Sequence, residues 1–156
     1  MNIRTWGIMA TTVFFLATSG MAFGIVAGPS ARTTFFAVLV GGNEVSNEAQ
    51  ANVGDPNGRG SATIIIPNAR TLCFATLVTG IDTPVAAHVH NGLAGRNGPI
   101  VVTLTAPDQG NPGNSSGCVT NLGPALLNAI TQNPGAFYVN VHTGLFPDGA
   151  LRGQLF

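Results

Sequence analysis

Three histidines carry most of the chemistry this chain can offer. His88 and His90 stand one residue apart in Ala87-His88-Val89-His90-Asn91-Gly92, and His142 ends the alternating run Tyr138-Val139-Asn140-Val141-His142. Alternate residues of an extended strand share a face, so an H-x-H pair sets two imidazoles side by side. Imidazole nitrogen is a ligand for copper, zinc and iron, and a third histidine in matching parity could complete a transition-metal set. A cation follows in Leu151-Arg152-Gly153-Gln154-Leu155, just after Pro147-Asp148-Gly149. Other chemistries lack their residues. No serine or cysteine shares a motif with the histidines, and there is no phosphate-binding loop or dinucleotide fingerprint. Gly92-Leu93-Ala94-Gly95 follows a strand but opens no helix, so it reads as a loop.

Strand parity decides which groups meet. Val85, Ala87 and Val89 share one side of their strand, with His88 and His90 on the other. Phe137, Val139 and Val141 point to a core, while Tyr138, Asn140 and His142 point away. Leu151, Gly153 and Leu155 face in, leaving Arg152 and Gln154 out. The outer face of three strands therefore gathers His88, His90, Tyr138, Asn140, His142, Arg152 and Gln154. Three readings fit this cluster. It is a hydrogen-bonded polar face that holds nearby Gly/Asn loops, with Arg152 donating to loop carbonyls. Or it is a transition-metal site on His88, His90 and His142. Or it is a surface for a protein or glycan ligand, contacted through Arg152, Asn140, Tyr138 and Gln154.

The rest of the chain supplies the frame. Residues 33–40 read as a first strand and 42–60 as a polar loop. Residues 61–66 and 70–78 form a hairpin about Pro67-Asn68-Ala69, and 85–90 and 100–105 bracket a loop with two Asn-Gly pairs. Residues 107–117 read as a long flexible loop carrying Asn114-Ser115-Ser116, a glycosylation acceptor if the host is eukaryotic. Residues 123–132 are the one helical segment, with Pro124 near the start and Asn133-Pro134 at the end. Residues 137–142 and 150–156 flank the Pro147-Asp148-Gly149 turn. About eight strands with turns roughly every 8–12 residues predict an all-β antiparallel sandwich or barrel with one short helix.

Composition narrows the partners. Only 8% of residues are charged and none is lysine, so no basic stripe exists to neutralise nucleic-acid phosphates. Arg4 followed by an apolar or small run from Trp6 to Val26 has the form of a secretion signal over residues 1–27. The alternative is an uncleaved anchor over residues 6–27, which is the one route to a membrane. Either places residues 32–156, a single domain, outside the cytosol. Two cysteines in an exported chain point to one disulfide, Cys73–Cys118; the alternative, two free thiols or thiolate metal ligands, lacks a C-x-x-C spacing.

The order of these pieces resembles the chordin-type (CHRD) domain of secreted proteins. Phe36-Ala37-Val38-Leu39 and Gly60-Ser61-Ala62 are similar to its opening strands, and Leu72-Cys73-Phe74 to its middle strand. Ala87-His88-Val89-His90-Asn91-Gly92 with Gly98-Pro99-Ile100-Val101 resembles its H-x-H segment. Asn140-Val141-His142-Thr143 and Gly149-Ala150-Leu151-Arg152-Gly153-Gln154-Leu155 resemble its closing hairpin. Ala150 departs from the pattern, because the family usually has an acidic residue there. An arginine that normally pairs with that acid must then turn to Asp148 or a loop carbonyl. The resemblance implies an immunoglobulin-like β-barrel with limited similarity to copper-zinc superoxide dismutases. On that analogy His88, His90 and His142 match copper ligands and Arg152 an anion-guiding arginine. A bridging histidine and a zinc set are missing, so the analogy extends to a copper-only or vestigial site. The expected function is a non-enzymatic secreted module for an extracellular protein, glycan or matrix ligand, with a mononuclear copper site as the alternative.

Overall fold

Alternating apolar residues build eight strands whose inner faces share one core. The computed structural model describes residues 33–109 and 112–156. The leader or anchor expected over residues 1–27 lies outside the described residues. The strands are β1 (Thr34–Val40), β2 (Arg59–Asn68), β3 (Thr71–Thr79), β4 (Pro84–Asn91), β5 (Ile100–Leu104), β6 (Gly113–Val119), β7 (Phe137–Thr143) and β8 (Leu151–Gln154). One helix, α1 (Pro124–Gln132), precedes β7. The strands run in the order β5-β4-β7-β8-β1-β2-β3-β6, every neighbouring pair antiparallel. The sheet curls into a nearly closed barrel. Its edges approach where Ser115 Oγ donates to Thr105 O at 2.9 Å. Among the described residues no helix is long and apolar enough to cross a membrane.

Phe35, Ala37 and Leu39 of β1 point inward with Ala62 and Ile64 of β2, Leu72 and Phe74 of β3, and Val139 and Val141 of β7. Leu127 and Ile130 of α1 join this core. They lie three residues apart on one helix face, and each is worth roughly 1.5–3 kcal/mol when fully buried. Gly123 caps the helix without a side-chain bond, Pro124 supplies its first turn, and it stops at Asn133 before Pro134.

Three expectations need correction. Val85 does not face the core with Ala87 and Val89: it is 64% exposed, because the β4–β7 register shifts between Pro84 and Ala86. The shift breaks the alternation at that point. The hairpin of β2 and β3 turns later than Pro67, which lies within β2 where the register also shifts. Residues 107–117 are not a flexible loop throughout. From Gly113 the chain pairs with β3 as edge strand β6, with Cys73 directly opposite Cys118. The Cys73–Cys118 disulfide joins that pair and ties the edge strand to the barrel.

Candidate metal centre

Cross-strand pairing sets the polar groups in rows on the outer side of the barrel. His88 is opposite Asn140, which is opposite Arg152; His90 is opposite Tyr138, which is opposite Gln154; Ala86 is opposite His142. The antiparallel register therefore puts His142 diagonal to His88, within reach of long side chains. The ring centroids of His88 lie 5.6 Å from His90 and 5.0 Å from His142. One ligand atom from each of the three histidines lies within 4.8 Å of the others.

Hydrogen bonds fix which nitrogens are free. His90 Nδ1 faces Gly98 O at 2.8 Å and His142 Nδ1 faces Pro147 O at 2.9 Å. A carbonyl only accepts, so both Nδ1 atoms carry protons, and in the neutral form of each ring Nε2 holds the lone pair. His142 Nε2 lies 3.1 Å from His88 Nδ1, which is therefore the donor of that pair. His90 Nε2 is buried and has no hydrogen-bond partner. An orphaned acceptor of this kind costs about 1–3 kcal/mol, and a cation would relieve it. Burial holds the His88 imidazole below its ordinary pKa, reinforced by His142 and His90 and opposed by Asn140. Burial also lowers that of His90, against the opposing pull of Gly98 and Asn140. Both rings are thus neutral near pH 7 and able to donate lone pairs.

The face is not open to solvent as parity alone implied. Arg152 is 1% exposed, Tyr138 2% and Asn140 3%, because two loops fold over them. Arg152 donates through Nη1 to Asn97 Oδ1 at 3.1 Å, and through Nη2 to Leu93 O at 3.0 Å and Arg96 O at 2.8 Å. Gln154 Nε2 donates to Gly92 O at 2.6 Å and Gly135 O at 2.9 Å. Asn97 Nδ2 donates in turn to Val45 O at 3.0 Å, joining the 91–98 loop to the 41–55 loop. Arg152 also lies over the Tyr138 ring, 3.5 Å from its centroid, and Tyr138 stacks on His90 at 4.7 Å. The guanidinium is consequently a clamp on loop carbonyls, and its burial removes it from any anion-guiding position at the surface. Gly98 lets that clamp close: a Cβ there would collide with Asn91 O. Only His88 and His142 of the three histidines are half-buried, which leaves the solvent side of the cluster between them.

Sequence reasoning missed one group. Glu44 is 2% exposed, and its carboxylate lies against Gly149, whose φ of 143° favours glycine. Oε1 has no hydrogen-bond partner. Burial raises the Glu44 carboxyl to about 7, against the attraction of Arg152 and a bond from the Val45 N–H. Glu44 sits in a polar run that reads only as loop, so nothing in its neighbours flags it.

The sign of its pH effect follows from that elevation. The native state keeps the proton that the unfolded chain releases near 4.5, so stability falls as pH rises from about 4.5 to 7. Comparing urea unfolding of the wild type and Glu44→Gln across pH 4–8 isolates the contribution. The wild type should lose about 3 kcal/mol relative to the variant over that window. Parallel profiles would show that the carboxyl is not held protonated.

No curated protein matches the chain. The CHRD domain profile matches residues 35–155, which takes in β2 to β8 and all but the first residue of β1. With the match covering nearly its whole length, the chain belongs to the CHRD-domain family.

Proposed function

We propose that this chain is an exported CHRD-domain module that binds one copper ion through His88 Nδ1, His90 Nε2 and His142 Nε2. The observation that carries the reading is a buried, unpartnered Nε2 on His90, whose ring clusters with a pair of imidazoles whose nitrogens lie 3.1 Å apart. Metal–nitrogen bonds of ~2.0–2.1 Å at tetrahedral angles need nitrogens about 3.3–3.4 Å apart. His88 Nδ1 and His142 Nε2 are 3.1 Å apart and one nitrogen of each of the three rings lies within 4.8 Å of the others, so that modest ring movements would close the set. The spare nitrogens of His90 and His142 are already held by carbonyls, the arrangement that orients metal-binding imidazoles. Copper suits an all-imidazole set better than the hard, oxygen-seeking cations do. His88 serves as ligand once its proton moves from Nδ1 to Nε2, with no net release.

A copper ion so held supplies one-electron redox chemistry and a position for a small ligand on the solvent side. The protein's own residues orient the rings, keep them neutral, and exclude water from the inner side through Tyr138 and the 91–98 loop. CHRD membership supports an extracellular, binding-type module. Export is supported by the Arg4-headed apolar run at the N-terminus and by the disulfide.

Copper titration of the purified protein beside His88→Ala/His90→Ala tests the reading. The wild type should take up one equivalent and gain about 2.7 kcal/mol of stability at a hundredfold excess of free copper over Kd. The double variant should do neither while keeping its barrel spectrum. A wild type that binds no copper leaves a module whose ligand is a protein, glycan or matrix component.

A further inference from the structure

The copper reading accounts for one of two orphaned buried atoms on this face. The other is Asn140 Oδ1, on a side chain 3% exposed. Asn140 occupies the central row, directly opposite His88 on β4 and opposite Arg152 on β8. His142 is two residues along the same strand on the same face, and His90 is diagonal across the β4–β7 ladder. Its side chain thus shares the face of the three histidines and is more deeply buried than His88 and His142. We infer that Asn140 Oδ1 is the fourth protein ligand of the ion, closing an N3O donor set from beneath; the inference rests on the copper reading above.

Two observations converge on the oxygen. It is a buried acceptor with no donor, and such an atom normally finds a partner or is costly. The neighbouring His90 Nε2 is also an acceptor without a partner, so the two lone pairs face a shared need for a cation rather than satisfying each other. The alternative is a turned amide whose Nδ2 donates to His90 Nε2, because amide oxygen and nitrogen are assigned from their surroundings. The two arrangements have opposite consequences for copper. A ligand oxygen strengthens binding, whereas an amide donor occupies the nitrogen the ion needs.

The ligand set that results is neutral throughout. A bound Cu(II) then keeps its full double charge, and the solvent-side position between His88 and His142 would take an anion in preference to a neutral molecule.

The test uses the purified protein, Asn140→Asp and Asn140→Leu, with copper affinity from chelator competition and the Cu(II) electron paramagnetic resonance spectrum. Asn140→Asp keeps the shape and offers a charged oxygen. It should bind Cu(II) at least tenfold more tightly and change the parallel g value. Asn140→Leu should weaken binding roughly 10–100-fold while retaining nitrogen hyperfine structure. Unchanged spectra in both variants, or tighter binding by Asn140→Leu, would overturn the inference and leave the three histidines as the ligand set. If the leucine variant does not fold, the isosteric aspartate variant decides alone: an unaltered spectrum refutes an oxygen ligand. A wild type without copper removes this inference and its parent reading together.

Discussion

Arg152→Leu should lower unfolding stability by about 3–5 kcal/mol, because three acceptors lose their donor at roughly 1–3 kcal/mol for each one left buried and unpaired. The leucine removes every donor that Leu93 O, Arg96 O and Asn97 Oδ1 share on the guanidinium, and strips the cation from the Tyr138 ring. Arg152→Lys should recover only part of the loss, because an ammonium cannot reach three acceptors as a planar fork does. Thermal and urea unfolding of the three proteins provide the comparison. The same variants should weaken copper binding, since Gly98 O orients His90 from the loop that Arg152 holds. A leucine variant of wild-type stability would mean that the loops close the face without the clamp.

Removing the disulfide has an effect of similar size. Cys73 and Cys118 are 45 residues apart, and closing such a loop contributes about 4 kcal/mol in the chain-entropy account of disulfides. In this barrel the loss should be local before it is global. β6 is an edge strand paired on one side to β3, and its sequence Gly-Asn-Ser-Ser-Gly-Cys-Val has a single β-branched residue. Cys73→Ser/Cys118→Ser should therefore expose the β6 amides to hydrogen exchange while the β4–β7 amides remain protected. Uniform loss of protection would show that the bond stabilises the barrel as one unit, and unchanged exchange that the β3–β6 ladder holds unaided.

The same strand shows where sequence reasoning reaches its limit. β1, β4, β7 and β8 were legible because a buried face imposes a period of two on residues such as Phe35-Ala37-Leu39 and Val139-Val141. β6 has one exposed side after another and glycine at two positions, so its pairing comes from β3 and the disulfide rather than from its own pattern. The pairing of the cysteines was legible for a simpler reason, there being only two.

Parity placed His88, His90, Asn140, His142 and Arg152 on one face, and the barrel gathers them there. What parity could not state is what lies over a face. Asn43 and Val45 reach it from a loop about forty residues before β4, Asn43 Nδ2 donating to Arg152 O and Val45 O accepting from Asn97 Nδ2. That cover turns Arg152 from a surface cation into an interior clamp, and it buries Glu44 beside Gly149. The departure at Ala150 is resolved the same way. Arg152 takes loop carbonyls as partners, and the buried acid near it comes from position 44 instead of the closing hairpin.

The central claim is that three imidazoles converge on a single ion. A crystal structure of the protein grown with one equivalent of copper, with anomalous scattering recorded at the copper edge, tests it most directly. One anomalous peak should appear, ~2.0–2.1 Å from His88 Nδ1, His90 Nε2 and His142 Nε2 together. A peak bound at any other place, or a copper-treated crystal in which His90 Nε2 has no metal beside it, would contradict the account.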